Sequence, residues 1–192
     1  MGPVPLREPA LYAIITELAS ESAREVEQIR GVALAGCGPD PAPLQWPLHL
    51  SWQGAESYFL DEVELRMRTI ARTFAPVTTR IDGVGVFTGA EPVVYLSVTR
   101  TPALSALNAT LWEALSPLAR SVNRYFSPEE WVPHISILYG KAEMKEAIAC
   151  LVANLSTVAL RIEIKLDHIY LGYFHGDDHG GLYRFPLLGS QG

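Results

Sequence analysis

One short pattern occurs twice in this chain. His49-Leu50-Ser51 and His134-Ile135-Ser136 both run His-apolar-Ser, and they stand 85 residues apart. Each lies in a segment that alternates as a strand does, LHLSW from Leu48 to Trp52 and WVPHISILYG from Trp131 to Gly140. Side chains on a strand point alternately to its two faces, so residues two apart share a face and stand about 7 Å apart along it. Each imidazole therefore projects beside a hydroxyl, while Leu50 and Ile135 turn toward a core. Both segments follow a helical pattern and a Pro-bearing loop. A chain of 192 residues that repeats this arrangement is best read as two related halves, an internal duplication with one motif strand in each.

The rest of the chain is punctuated accordingly. Leu11 to Leu18 (LYAIITEL) has the Ile and Tyr content of a buried strand. Ser20 is placed to cap a helix over Glu21 to Leu34, where Ala23, Val26, Ile29 and Ala33 recur at helical spacing. GCGPDPAPLQWP cannot continue that helix and leads into the first motif. A second helix is expected over Ser57 to Phe74, with Phe59, Val63, Leu65, Met67 and Ile70 as its apolar positions. Thr79 to Phe87 and Pro92 to Thr99 read as a hairpin, and Thr101-Pro102 opens a helix carrying Leu104, Leu107, Leu111, Leu115 and Leu118. A further helix is expected over Lys141 to Leu155. Val158 to Phe174 reads as two strands bending near Asp167, and a polar loop from His175 to Gly181 leads to a closing strand at Leu182 to Leu187. This order is that of an α+β protein with helices packed on antiparallel sheets, residues 1–192 forming one domain.

Composition narrows what such a chain can bind. Hydrophobic residues make up 48% and charged residues 19%, enough apolar material for a packed core. Lys plus Arg number 15 against 21 Asp plus Glu, a net charge of −6. Binding along a polynucleotide relies on a surplus of Lys and Arg that displaces counterions. The expected partner is thus a small ligand or a chain terminus, not long nucleic acid. No stretch reaches the roughly 18 apolar residues of a membrane span. Cys37 and Cys150 belong to no CxxC or Cys/His array, so neither a disulfide framework nor a structural zinc site is expected. The default is a reduced, cytoplasmic monomer.

Two such strands side by side would present two imidazoles and two hydroxyls to one cleft. That set suits in-line displacement at phosphorus: one neutral imidazole takes a proton from attacking water and a protonated one donates to the leaving oxygen. Histidine fits both roles because its unperturbed pKa of about 6.5 leaves both forms available near neutrality. The serine hydroxyls can donate to non-bridging phosphoryl oxygens, where transition-state charge must be held. The scheme needs neither metal nor cofactor. Trp131 and Tyr139 bracket the second motif and are the preferred candidates to stack a base or ribose, ahead of Trp46, Trp52 and Tyr12. Arg80, Arg100, Arg124 and Lys141 are candidate phosphate contacts whose ordinary role is a solvated one. His175, Asp177, Asp178 and His179 read as a polar turn before a metal site, and His168 as a structural histidine.

HLSW and PHISIL resemble the tandem His-x-Thr/Ser signature of the two-histidine (2H) phosphoesterase superfamily, which includes the bacterial 2'-5' RNA ligase-like proteins. LYAIITEL, RIDGVGVFTGAEPVVYLSV with the Leu-rich helix after it, and HIYLGYFHGDDHGGLYRFPL are also similar to the family pattern. The resemblance implies a bilobal fold with pseudo-twofold symmetry, each lobe an antiparallel sheet with helices outside and the active cleft between. It maps the functional positions onto His49, Ser51, His134 and Ser136. It further implies a cyclic phosphodiesterase in which His49 is acid to the leaving 3'-oxygen and His134 is base for water, leaving a 2'-phosphate. Serine stands here where threonine is more usual, and Tyr139 where the RNA-end enzymes often carry arginine. A 3'-5' RNA exonuclease using the same tetrad and a non-catalytic nucleotide-binding module are the alternatives.

Overall fold

In chain order the elements are β1 (Leu11–Glu17), α1 (Ser20–Leu34), β2 (His49–Ala55), β3 (Ser57–Tyr58), α2 (Leu60–Thr73), β4 (Val77–Phe87), β5 (Val93–Val98), α3 (Pro102–Leu115), β6 (Ala119–Arg120), β7 (His134–Tyr139), α4 (Lys145–Leu155), β8 (Ile162–Leu166), β9 (His168–His175) and β10 (Asp178–Pro186). The structure is a computed structural model and describes residues 11–38, 44, 46–175 and 178–189. Eight strands form one antiparallel sheet in the order β10-β9-β1-β2-β7-β5-β4-β8, and β3 pairs with β6 apart from it. The two motif strands are the central neighbours, with three strands beyond each. The two sheets anticipated from the sequence are thus two four-stranded halves that meet at β2 and β7.

The helices cross between these halves. α1 leaves β1 yet packs against α4 and β8, while α3 leaves β5 yet packs against α2 and β2. α3 starts where Thr101 and Pro102 predict: the Thr101 hydroxyl accepts the Leu104 N–H at 3.1 Å, satisfying one of the first-turn donors. Its Leu104, Leu107, Leu111 and Leu115 are fully buried. Burial alternates along β8 and from His134 to Ile137 in β7, following the period of two that their sequences carry.

Four local expectations are corrected. The second helix begins at Leu60, because Ser57 and Tyr58 pair with Arg120 and Ala119 as a small ribbon. Phe59 and Leu65 are accordingly 66% and 64% exposed, and only Val63, Met67 and Ile70 of the apolar set are buried. Ser20 lies inside α1, whose N-cap is Ala19 with no side-chain bond. The polar loop is shorter than expected, since β10 already pairs from Asp178 against β9; Asp177 lies outside the described residues.

The fourth correction concerns the cysteines. Cys37 and Cys150 are bonded to one another, their Cα atoms 5.5 Å apart. Spacing along the chain carried no sign of this, because the pairing is made by the packing of α1 against α4. Asn154 of α4 adds a hydrogen bond to the Ala33 carbonyl at 2.8 Å across the same junction. No helix among the described residues is long and apolar enough to cross a membrane.

The bond closes a separation of 113 residues, so Cys37→Ser is expected to cost roughly 3–5 kcal/mol by releasing the unfolded chain. Urea denaturation of both proteins, with and without reductant, checks this: reductant should lower the midpoint of the parent and leave that of the variant unchanged.

Candidate active site

Leu50 pairs with Ile135 in the ladder between β2 and β7. Antiparallel register around that pair sets His49 opposite Ser136 and Ser51 opposite His134. All four side chains are half-buried while Leu50 and Ile135 are fully buried, so the alternation read from the sequence holds on both strands. The four line one cleft of about 870 Å³.

The rings are held alike. His49 Nδ1 lies 2.7 Å from the Pro47 carbonyl oxygen, and His134 Nδ1 lies 2.7 Å from that of Val132. A carbonyl can only accept, so each Nδ1 carries the hydrogen, and Nε2 is the nitrogen left for chemistry. The partner carbonyl is two residues upstream in both cases, within Trp46-Pro47-Leu48-His49 and Trp131-Val132-Pro133-His134.

A bulge follows each motif. Ile15 and Ile14 of β1 face Ser51 and Gln53, skipping Trp52; Tyr95 and Val94 of β5 face Ser136 and Leu138, skipping Ile137. The extra residue comes directly after the motif serine on both strands. Such a bulge bends its strand and increases the local twist, and here it does so at equivalent points in the two halves.

Flanking strands break the symmetry. Glu17 of β1 stands opposite His49, while Ser97 of β5 stands opposite His134. Burial pushes the His49 pKa below its ordinary value, and the Pro47 carbonyl and the Glu17 carboxylate oppose that shift. The His134 pKa is also lowered, first by burial; the Val132 carbonyl opposes this and the charge on His49 adds to it. The carboxylate near His49 thus favours its charged form, and a charge there disfavours a second one on His134. Glu17 is itself paired with Arg184.

His134 is also packed from the side. Phe87 meets it edge-on at 4.8 Å between centroids, Tyr95 lies 5.2 Å away, and the Phe87 and Tyr95 rings stack at 4.3 Å. Tyr95 has room for this because Gly85 lies opposite it: a Cβ there would come within 2.4 Å of the Tyr95 ring.

Of the two preferred stacking candidates, Tyr139 is 54% exposed and lines the cleft. Trp131 does not, and the expectation for it is corrected. It is 2% exposed, its indole N–H donates to the Ser51 carbonyl at 3.0 Å, and its ring stacks on Trp52 at 5.3 Å. A ring so enclosed pins the lead-in of one motif to the strand of the other and offers no face to a ligand. Trp46, the matching residue three positions before His49, lines the cleft instead and packs on Phe174 at 4.0 Å. Arg100 serves the same lead-in, donating to the carbonyls of Pro128 and Trp131. Neither it nor Arg80, Arg124 or Lys141 is among the cleft-lining residues described. His168 is buried, with Nδ1 on Asp167 and Nε2 accepting the Glu17 N–H, a structural role as expected.

Sequence reasoning missed Glu17, Phe87, Tyr95 and Phe174, since pairing across strands puts them at the site. The repeated Trp three residues before each motif histidine was a usable signal for Trp46.

A family model for the 2'-5' RNA ligase superfamily matches residues 18–178. The chain belongs to that superfamily. Among solved structures of the same fold, Escherichia coli LigT complexed with 3'-AMP is 17% identical, with 96% of this chain and 100% of that one covered at a TM-score of 0.61. TT0787 of Thermus thermophilus is 18% identical, with 93% and 98% covered at 0.61. Kluyveromyces marxianus Usb1 is 16% identical, with 92% and 98% covered at 0.55. No curated protein sequence matches. The family match supports phosphoesterase chemistry in this superfamily member, and the structural likenesses, all at low identity, support its α+β fold.

Gly85→Ala is expected to drive the Tyr95 ring off its strand neighbour and open His134 to water. Since burial is the main cause holding the His134 pKa down, NMR titration of the imidazoles should show that value rising toward 6.5, with His49 moving less.

Proposed function

We propose that this protein is a phosphodiesterase that hydrolyses a 2',3'-cyclic phosphate or a related nucleotide or RNA-end diester by two-histidine acid/base catalysis, without need of a metal. The observation that carries this reading is the matched pair of imidazoles, each with Nδ1 committed to a carbonyl two residues upstream, on neighbouring strands that line one cleft.

Water attacks phosphorus from the His134 side as the neutral Nε2 removes its proton. His49, as the imidazolium, protonates the leaving oxygen opposite. The Ser51 and Ser136 hydroxyls donate to the non-bridging oxygens as charge builds there. The asymmetry of the flanking strands supports this division of labour: a carboxylate beside His49 favours its charged form, and that charge in turn favours neutral His134. Structures of E. coli LigT hold 3'-AMP, phosphate, NADP+ and ATP, ligands of the size this cleft would take. Tyr139 stands at its edge as a stacking surface for base or ribose.

His49→Ala and His134→Ala are each expected to lower kcat/KM on 2',3'-cyclic nucleotides by roughly 10²–10⁴-fold, and EDTA to leave the parent rate unchanged. Loss of activity in chelator, or full activity in both variants, overturns the reading; tight nucleotide binding without product would favour a binding module.

The pH profile follows from the depressed histidines. Both pKa values lie below the ordinary value, so the singly protonated pair is already depleted by the time pH reaches about 6.5. The bell for kcat/KM should have its alkaline limb below that value. Glu17→Gln removes a group that raises the His49 pKa, and should move that limb to still lower pH in a steady-state pH series.

A further inference from the structure

A line of contacts crosses the motif-bearing face of the sheet from its edge. Arg184 of β10 stands opposite Tyr170 of β9, Tyr170 opposite Ile15 of β1, and Ile15 opposite Ser51 of β2. Directly opposed side chains share a face, so Arg184 lies on the face that carries the tetrad. Glu17 and His49, two residues along from Ile15 and Ser51, are the next pair on that face. From β10 the Arg184 guanidinium passes over the Tyr170 ring, 6.0 Å from its centroid, and donates to the Glu17 carboxylate. The contacts thus span four strands and end beside His49, yet neither Arg184 nor Glu17 is among the cleft-lining residues described.

An exposed ion pair contributes little to folding, and the Arg184 side chain is 53% exposed. Its effect falls instead on the groups around it. From β9, His168 accepts the Glu17 N–H at Nε2 and has the Asp167 carboxylate 2.8 Å from Nδ1, so both its nitrogens are committed. Tyr170 is kept neutral, its pKa pushed up first by burial and then by Glu17, with Arg184 opposing. From β2, His49 faces Glu17, and the charge on His49 in turn acts on His134 of β7. Among these groups Arg184 is the permanent cation. The other half carries its carboxylate one strand farther out: Asp82 of β4, paired with Arg80, accepts from Ser97, and it is Ser97 that stands opposite His134.

We infer that Arg184 is a positioning residue for His49: by holding the Glu17 carboxylate it draws part of that charge away from the imidazole and keeps His49 ready to release its proton to the leaving oxygen. This rests on the phosphodiesterase reading above and adds to it a residue outside the cleft. The sign follows from electrostatics alone. Without the guanidinium a nearby positive charge is lost and Glu17 acts on His49 uncompensated, and both changes favour the imidazolium. Arg184→Gln therefore moves the His49 pKa upward, opposite to Glu17→Gln.

The test is NMR titration of the imidazoles in the wild-type protein, Arg184→Gln, Arg184→Lys, Glu17→Gln and the Glu17→Gln/Arg184→Gln double variant, beside a pH series of kcat/KM on a 2',3'-cyclic nucleotide. His49 should titrate at higher pH in Arg184→Gln, with His134 moving less, and return to the wild-type position in Arg184→Lys, which keeps the charge. In the double variant the upward move relative to Glu17→Gln should be largely lost, since the carboxylate through which Arg184 acts is gone. Well above both histidine pKa values the rate follows the fraction of His49 that keeps its proton. Relative to its own maximum, the Arg184→Gln rate there should be about twofold above that of the wild type, the size of effect that exposed charge pairs give. A His49 titration that stays in place or moves downward in Arg184→Gln overturns the inference, as does an equal upward move in the double variant, or a lysine variant that behaves as the glutamine one does. None of these touches the phosphodiesterase reading, which stands or falls on turnover. The expected NMR shifts in a protein that turns over no diester would uphold the role of Arg184 at His49 and remove the hydrolase reading.

Discussion

Everything at this site hangs from the junction where β2 meets β7. Leu50 and Ile135 pair there on the backbone, and the core side of the same junction is closed by the stacked indoles of Trp52 and Trp131, the second of which also donates to the Ser51 carbonyl. Antiparallel pairing at this point places two His-x-Ser segments head to tail, so each histidine faces the other segment's serine. A slip of one residue in β2 would turn His49 and Ser51 into the core and Leu50 into the cleft, separating them from His134 and Ser136 on β7. The burial of those two residues therefore fixes the polar geometry from behind. Helices that cross from one half to the other hold the junction from outside, and Arg30 of α1 reaches β7 directly, donating to the Ile137 carbonyl at 2.7 Å.

Twofold repetition and its local failure do different work. Repetition supplies two similar imidazoles, each fixed in the same tautomer and each followed by a bulge, which suits a reaction whose attacking and leaving oxygens lie opposite one another. A reaction that runs in one direction still needs the two to differ in protonation. That difference comes from the neighbours, a carboxylate on one side and a hydroxyl on the other, and from the mutual repulsion of two charges that share a cleft. The two tryptophans that precede the motifs also differ, Trp131 lying in the core and Trp46 in the cleft.

What could be read from the sequence was what depends on local period. Strand alternation at LHLSW and PHISI located the tetrad and its shared face, and the leucine spacing of α3 with its Thr-Pro start located that helix almost to the residue. Contacts between distant segments were not legible. Nothing near Glu17 marks it as the neighbour of His49, because the relation exists only once β1 pairs with β2; Tyr95, Gly85 and Phe87 meet His134 by the same route. Trp131 was misplaced because adjacency to a motif says nothing about which face of the sheet a lead-in residue takes. The start of α2 failed for a related reason: Ser57 and Tyr58 fit a helical period but find a partner strand.

The covalent closure between the chain just after α1 and α4 encloses both motifs, since it joins Cys37 to Cys150 while the histidines stand at 49 and 134. The peptide chain between the two halves of the cleft is therefore not their only tether. A protease that cut the turn between β4 and β5 would leave two fragments still linked through sulfur, each with its own motif strand. The separation of the two imidazoles would then depend on the sheet and the cross-link, and no longer on an unbroken backbone.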